Sequence, residues 1–286
     1  SPPYFKDETR FEYFERTAFT LEQHQKLRDF AHECCVEFMS SPFSLEAVDL
    51  LEKVGVRSYK VASGEMTNHP LLIRLAKTGK RIILSSGMSS WEELDEAIAV
   101  LGEEGSGPLV LLQCTSEYPC PPERAGVNVM QEMAARYALP VGFSDHTLGS
   151  AVSALAACRG ACLIEKHLTF HRGMYGSDAR NATTPEEFAK LVEAVRAIEL
   201  AEANPVDKDS LVESLGHMKQ AFEKSIVSAR ELPVGHVLQG CDLAYKKPGG
   251  GIPARHFREL RGRRLKKAVG ADHTFTWDDF SPEGVA

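Results

Sequence analysis

Short apolar runs recur along the chain, each separated from the next by a stretch of helical character. The runs are VEFMSSPF (36–43), SYKVASGE (58–65), KRIILSSG (80–87), PLVLLQCTS (108–116), LPVGFSDH (139–146) and ACLIEKHL (161–168). Runs that are apolar nearly throughout, rather than strictly alternating, fit strands of a parallel sheet covered on both faces. Between them the apolar spacing lengthens to that of amphipathic helices. SSWEELDEAIAVLGEEG offers Ser89 or Ser90 as N-cap ahead of Glu92 and Glu93, and closes on a glycine. TTPEEFAKLVEAVRAIELAEAN has Thr184 as N-cap and Pro185 at the first helical position. TLEQHQKLRDFAHECC is a further helix, feeding the first strand. Such alternation predicts an α/β fold made of βα units.

Every run ends in small or polar residues: Ser40 and Ser41; Ser63, Gly64 and Glu65; Ser85, Ser86 and Gly87; Thr115 and Ser116; Ser144, Asp145 and His146; Glu165, Lys166 and His167. A (β/α)8 barrel carries its functional groups at the C-terminal ends of its strands, whereas a doubly wound sheet gathers them at one crevice. Polar groups at six successive strand ends therefore predict a TIM barrel over residues 1–203, with about six βα units visible. A closed barrel needs eight, and residues 1–20 carry no strand pattern, so two units are expected to be missing upstream. After ANPVDKDSL the texture changes. A linker over 204–222 leads to a small domain over 223–286, with short strands, Gly and Pro turns and a single helix.

Net charge of −7 excludes a general nucleic-acid or anionic-membrane surface. It does not exclude an anionic substrate, which needs only local cations and backbone N–H groups. Arg258, Arg261, Arg263, Arg264, Lys266 and Lys267 read as a solvated or interface face rather than a nucleic-acid patch. No apolar run approaches membrane-spanning length and no signal-peptide pattern opens the chain, so a cytoplasmic location is expected. Seven cysteines without a repeated CxxC spacing read as reduced thiols. Cys158 and Cys162, followed by His167, read as small core residues rather than zinc ligands.

The motifs SYKVASGE, ILSSGMSS, CTSEYP, GFSDHTLG and EKHLTFHRGMYGSD resemble, in order, those of the sialic acid synthase family, and KPGGGIP resembles its antifreeze-like C-terminal domain of β-clip type. The resemblance covers nearly the whole chain. It implies condensation of phosphoenolpyruvate with the open-chain aldehyde of N-acetylmannosamine or a related N-acetylated amino sugar, giving a nine-carbon 2-keto acid and phosphate. It implies a divalent metal, manganese first and magnesium or cobalt as substitutes, bound by His146 and His167 and acting as a Lewis acid. Lys60 is the implied cation for phosphoenolpyruvate, with hydroxyls from Ser41, Ser63, Ser116 and Ser144. Glu65 is the implied acid/base, while Tyr118, Asp178 and Lys247 are implied sugar contacts. Gln113 is left without a role. A domain-swapped homodimer is also implied, the small domain lidding its partner's barrel.

Two departures from the family pattern matter. The family's first strand, ending in an acidic and Asn-His motif, and its second strand, carrying a lysine, have no counterpart here, so weak or absent activity is expected. Lys247 stands where relatives carry arginine, which keeps the charge but loses the bidentate fork. Two other readings stand beside the synthase: a non-catalytic barrel remnant that binds metal or sugar, and another metal-dependent barrel aldolase. Legionaminic, pseudaminic and spore-coat precursors are all open as products.

Overall fold

A computed structural model describes residues 8–281, which fall into two compact units, Ser1–Ala203 and Asn204–Ala286. In the first, α1 (Arg10–Thr17), α2 (Leu21–Glu33) and α3 (Leu45–Val54) precede the first strand. There follow β1 (Ser58–Val61), α4 (His69–Ala76), β2 (Arg81–Ser85), α5 (Trp91–Glu103), β3 (Leu109–Cys114), α6 (Val129–Tyr137), β4 (Val141–Asp145), α7 (Ala151–Cys158), β5 (Ile164–Lys166) and α8 (Pro185–Ala203). The helices start where their caps dictate. Ser90 and Glu93 close a reciprocal capping box on α5, and the Thr184 hydroxyl accepts from Glu187 N–H ahead of Pro185 on α8. Gly55, at φ 81°, ends α3 in a left-handed turn.

All five strands are parallel and lie in the order β1-β2-β3-β4-β5. The order never reverses, so each crossover advances the sheet in the same sense. That is the winding of a TIM-type barrel rather than of a doubly wound sheet, and the strands form a curled half-barrel.

Strand alternation separates two layers. Tyr59, Val61, Leu84, Leu111 and Phe143 face the helices and pack with Leu51, Leu72, Leu75 and Ala97 in one buried cluster. The intervening residues, Lys60, Ser85, Cys114, Ser144 and Glu165, face the other side and line a cleft.

Two expectations need correcting. The run at 36–43 is not a strand: only Ser40 pairs, through one parallel bridge to Tyr59 in which its carbonyl accepts from Lys60 N–H at 3.2 Å. Val36 and Phe43 are exposed and only Phe38 packs against the buried cluster, so that segment has one bridge on one side and a partial cover among the described residues. Cys158 and Cys162 are exposed, not core: α7 turns its Ser153 and Ala156 inward and leaves Cys158 outside, and Cys162 lies in the connection ahead of β5. All seven thiols are free.

The second unit opens with α9 (Lys208–Ser214) and α10 (Gly216–Phe222), so the stretch read as a linker is largely helical. Antiparallel β6 (Ser225–Ser228) and β7 (Leu243–Lys246) follow, with α11 (Phe257–Leu260). This unit is internally duplicated. Leu232 and Val269 exchange both backbone hydrogen bonds, at 2.9 and 3.0 Å, as residues on a two-fold axis would. Around them, Ser228 N–H to the His273 carbonyl repeats as Leu265 N–H to His236, and Ala229 to Asp242 repeats as Lys266 to Asp279. Each half buries one aspartate. Asp242 accepts from Arg230, His236 and Gln239 N–H; Asp279 receives Lys267, His273 and Thr276 N–H in the same roles. Among the described residues no helix is long and apolar enough to cross a membrane.

Candidate active site

The cleft at the C-terminal ends of the strands holds about 320 Å³. A larger hollow of about 620 Å³ lies elsewhere on the unit, lined by Arg28, His32, Glu37 and Arg57. Two of its charged side chains are spent on neighbours: Arg28 on Asp29 and the Val54 carbonyl, Glu37 on Ser58 and Arg81. Ser58 and Arg81 open β1 and β2, so that hollow sits at the opposite end of the strands from the cleft.

Two imidazoles stand together in the cleft. The His146 and His167 ring centres are 5.2 Å apart, with the Tyr118 ring 4.2 Å from the first and 5.7 Å from the second. His146 Nδ1–H donates to the Thr115 carbonyl at 2.9 Å, which assigns the tautomer and leaves the Nε2 lone pair free. Burial pushes His146 down, but the Cys114 side chain and the Thr115 carbonyl outweigh it and leave its pKa raised. Burial wins at His167 and lowers its pKa, although Asp178 Oδ2 lies 3.7 Å from its Nδ1. Burial pushes the Tyr118 hydroxyl up to about 12, so it stays a proton donor at neutral pH.

The remainder of the cleft suits an anion. Lys60 Nζ sits 3.5 Å from Glu165 Oε2, and Ser144 Oγ donates to Glu165 Oε1 at 2.7 Å. Ser63 Oγ accepts from Gly87 N–H at 3.1 Å and donates to Cys114 Sγ at 3.7 Å; Ser116 Oγ lies 3.8 Å from the same sulfur. Ser85 Oγ is buried, lines the cleft and has no hydrogen-bond partner among the described residues. A buried orphan hydroxyl costs about 1–3 kcal/mol unless a ligand engages it.

The structure thus brings together Lys60, Ser63, Ser116, Tyr118, Ser144, His146 and His167, with Asp178 behind His167. Ser41 and Glu65 do not line the cleft. Ser41 follows the Ser40 bridge, and Glu65 ends a short turn where its carboxylate accepts from Asn68 Nδ2 at 2.7 Å. Lys247 belongs to the second unit, on a cis Lys247–Pro248 turn, with Nζ 4.7 Å from the Phe222 ring centre. Sequence reading counted Ser85 and Glu165 among the strand-end polar groups without giving them a role, and passed over Cys114. The period of two would have found Glu165: the spacing that sets Ser144 two residues before His146 sets Glu165 two residues before His167.

The donor set fits a divalent transition ion. His146 offers an oriented Nε2, and burial favours the neutral, ligating form of His167. Among the described residues no three His, Cys, Asp or Glu side chains cluster closely enough to hold an ion alone, so water or substrate oxygens would complete the shell.

A half-barrel whose strand ends join an imidazole pair to a lysine and converging hydroxyls has the make-up of a barrel enzyme's ligand cleft. Comparison with known proteins makes the class specific. The chain belongs to the NeuB family, whose pattern matches residues 3–207, and a SAF domain follows at 223–281. It is 36% identical over 268 residues to an N,N'-diacetyllegionaminic acid synthase of Campylobacter jejuni, covering 93% of this chain and 80% of that one. The N-acetylneuraminic acid (sialic acid) synthetase of Leptospira borgpetersenii superposes with a TM-score of 0.65 at 30% identity, over 71% of this chain and 72% of that one. The spore coat polysaccharide biosynthesis protein spsE of Bacillus subtilis superposes with a TM-score of 0.63 at 26% identity, over 98% and 83%.

Proposed function

We propose that this chain condenses phosphoenolpyruvate with the open-chain aldehyde of an N-acetylmannosamine-type amino sugar, giving a nine-carbon 2-keto acid and inorganic phosphate. The observation that carries the reading is the convergence of His146, His167 and Tyr118 with Lys60 and the serine hydroxyls in one cleft. The names of the relatives support it, since they make acids of this type.

Lys60, Ser63, Ser85, Ser116 and Ser144 hold the phosphate and carboxylate, and the weak Lys60–Glu165 contact gives way to the stronger charge of the ligand. A divalent cation, manganese first, would be held by His146 and His167 and would supply Lewis-acid polarisation of the aldehyde. Tyr118 covers the sugar with its ring, and Asp178 binds a sugar hydroxyl. C3 of phosphoenolpyruvate forms the new bond to the aldehyde carbon, whose oxygen takes up a proton. Water then adds at C2, and the C2–O bond to phosphate breaks to leave the keto group. One proton of that water ends on the new hydroxyl and the other on the departing phosphate, while Glu65, held by Asn68 outside the cleft lining, takes no part in that transfer. Glu165 organises the anion site by fixing Ser144 and Lys60. Lys247 supplies a cation to the substrate held by a second copy in a homodimer.

Phosphate release is the test, with phosphoenolpyruvate, manganese and a panel of 2-acetamido sugars. Release that depends on the sugar, and disappears with EDTA or in His146→Ala, is the expected result. Release without any sugar, or none in a full-length protein containing this chain, would overturn the reading.

A further inference from the structure

The motifs SDH and EKH each place a charged residue immediately before the cleft histidine, and neither residue faces the cleft. Asp145 and Lys166 are register partners on β4 and β5 and turn toward α7. Their side chains are 0% and 1% exposed, and Lys166 Nζ sits 2.9 Å from Asp145 Oδ2. The pair's other polar contacts are made within the same fold segment, and only the Thr147 hydroxyl beside it is buried without a partner among the described residues. Asp145 Oδ1 accepts from Thr147 N–H at 2.8 Å, Asp145 Oδ2 accepts from the buried Ser153 hydroxyl of α7, and Lys166 Nζ also donates to the Thr147 carbonyl at 2.8 Å. The pair therefore ties together the backbone on both sides of His146, the strand end that carries His167, and the helix behind them.

A buried ion pair is weak as a source of stability but effective at selecting one geometry, because any slip leaves a charge unpaired in a dry interior. Here the selected geometry is the relative position of two residues that follow it directly in sequence. A slide of β5 against β4 would separate Lys166 from Asp145 and His167 from His146 together. We infer that Asp145 and Lys166 are positioning residues whose buried pair sets the spacing at which His146 and His167 share one divalent cation. The inference rests on reading those histidines as a metal site.

The test measures manganese binding by the loss of the free-ion paramagnetic resonance signal, with melting temperature followed alongside. In the Asp145→Asn/Lys166→Met double variant the amide still accepts from Thr147 N–H and can donate to the Ser153 hydroxyl, and methionine fills the lysine's volume; only the bond to the Thr147 carbonyl goes with the pair, so the variant is expected to fold. Its manganese affinity should fall by about 10- to 100-fold, the range seen when partners behind metal ligands are removed. Phosphoenolpyruvate affinity without metal should change less than about threefold, a split that general loosening would not give. Ser153→Ala, which removes one bond from Asp145 and leaves the pair, should show a smaller loss of the same kind. Wild-type affinity in both variants would overturn the inference while leaving the metal reading intact. A parent protein that binds no manganese, and is indifferent to His146→Ala, would overturn both.

Discussion

Gly87→Ala is the sharpest test of how the anion site is built. Gly87 is absent from the positive-φ residues, so alanine brings no backbone strain. Its new Cβ would stand 2.3 Å from Ser116 Oγ, 2.6 Å from Ser63 Oγ and 2.9 Å from Cys114 Sγ. All three are tips of short side chains that rotate away cheaply, so the fold should lose no more than about 1 kcal/mol. The site should lose much more, because both hydroxyls leave the position from which they bind the ligand. Hydrogen bonds to charged groups are worth about 1.5–3 kcal/mol each, so losing two costs about 3 kcal/mol at the least. That corresponds to a rise of roughly 100-fold or more in KM for phosphoenolpyruvate. Steady-state phosphate release at saturating sugar gives KM, and a thermal melt of the same sample reports on the fold. A KM within threefold of wild type would refute the idea that the missing side chain is what lets these hydroxyls converge. A collapse in melting temperature would refute the claim that only side-chain tips are disturbed.

Other expectations address separate parts of the molecule. Glu165→Gln should chiefly alter KM for phosphoenolpyruvate with little change in kcat, since it frees Lys60 and Ser144; a fall in kcat at unchanged KM in steady-state kinetics would contradict that role. Tyr118→Phe should keep most of the sugar affinity and Tyr118→Ala should lose it, as sugar KM values would show, because the ring and not the hydroxyl packs on His146. In the second unit, burial pushes the Asp279 carboxyl up, but Thr276 N–H, His273 and Lys267 outweigh it and hold its pKa at about 2 against an ordinary 3.8. A depressed pKa stabilises the fold above pH 3.8 and loses that stabilisation as pH falls toward 2, a contribution of about 2 kcal/mol at neutral pH. Urea titrations of wild type and Asp279→Asn should therefore differ at pH 7 and converge near pH 2; a constant gap would contradict the assignment.

Much of the first unit was legible in the residues because its signals are local. The apolar runs from 58 onward coincide with β1 to β5, and the Ser90 and Thr184 caps start their helices as read, since caps act within one turn of chain. The run at 36–43 misled because apolar composition reports what a segment could bury and not what is present to cover it. The exposed Cys158 and Cys162 failed for the same reason. The duplication of the second unit escaped notice because its halves share spacing and little identity: His236 and Asp242 recur as His273 and Asp279, but Arg230 answers Lys267 and Leu238 answers Phe275.

The site divides along a similar line. Sequence by itself determined which chemical groups end each strand, and hence the imidazole pair, the lysine and the hydroxyls, because one short run carries each of them. Which of those groups face one another was decided only in three dimensions. Pairing of Ser144 with Glu165 and of Asp145 with Lys166 is set by the register of β4 on β5. Parity along the strands then sends the first pair into the cleft and the second behind it. Register and parity across strands depend on contacts between residues distant in the chain, and no local pattern of polar and apolar positions encodes them.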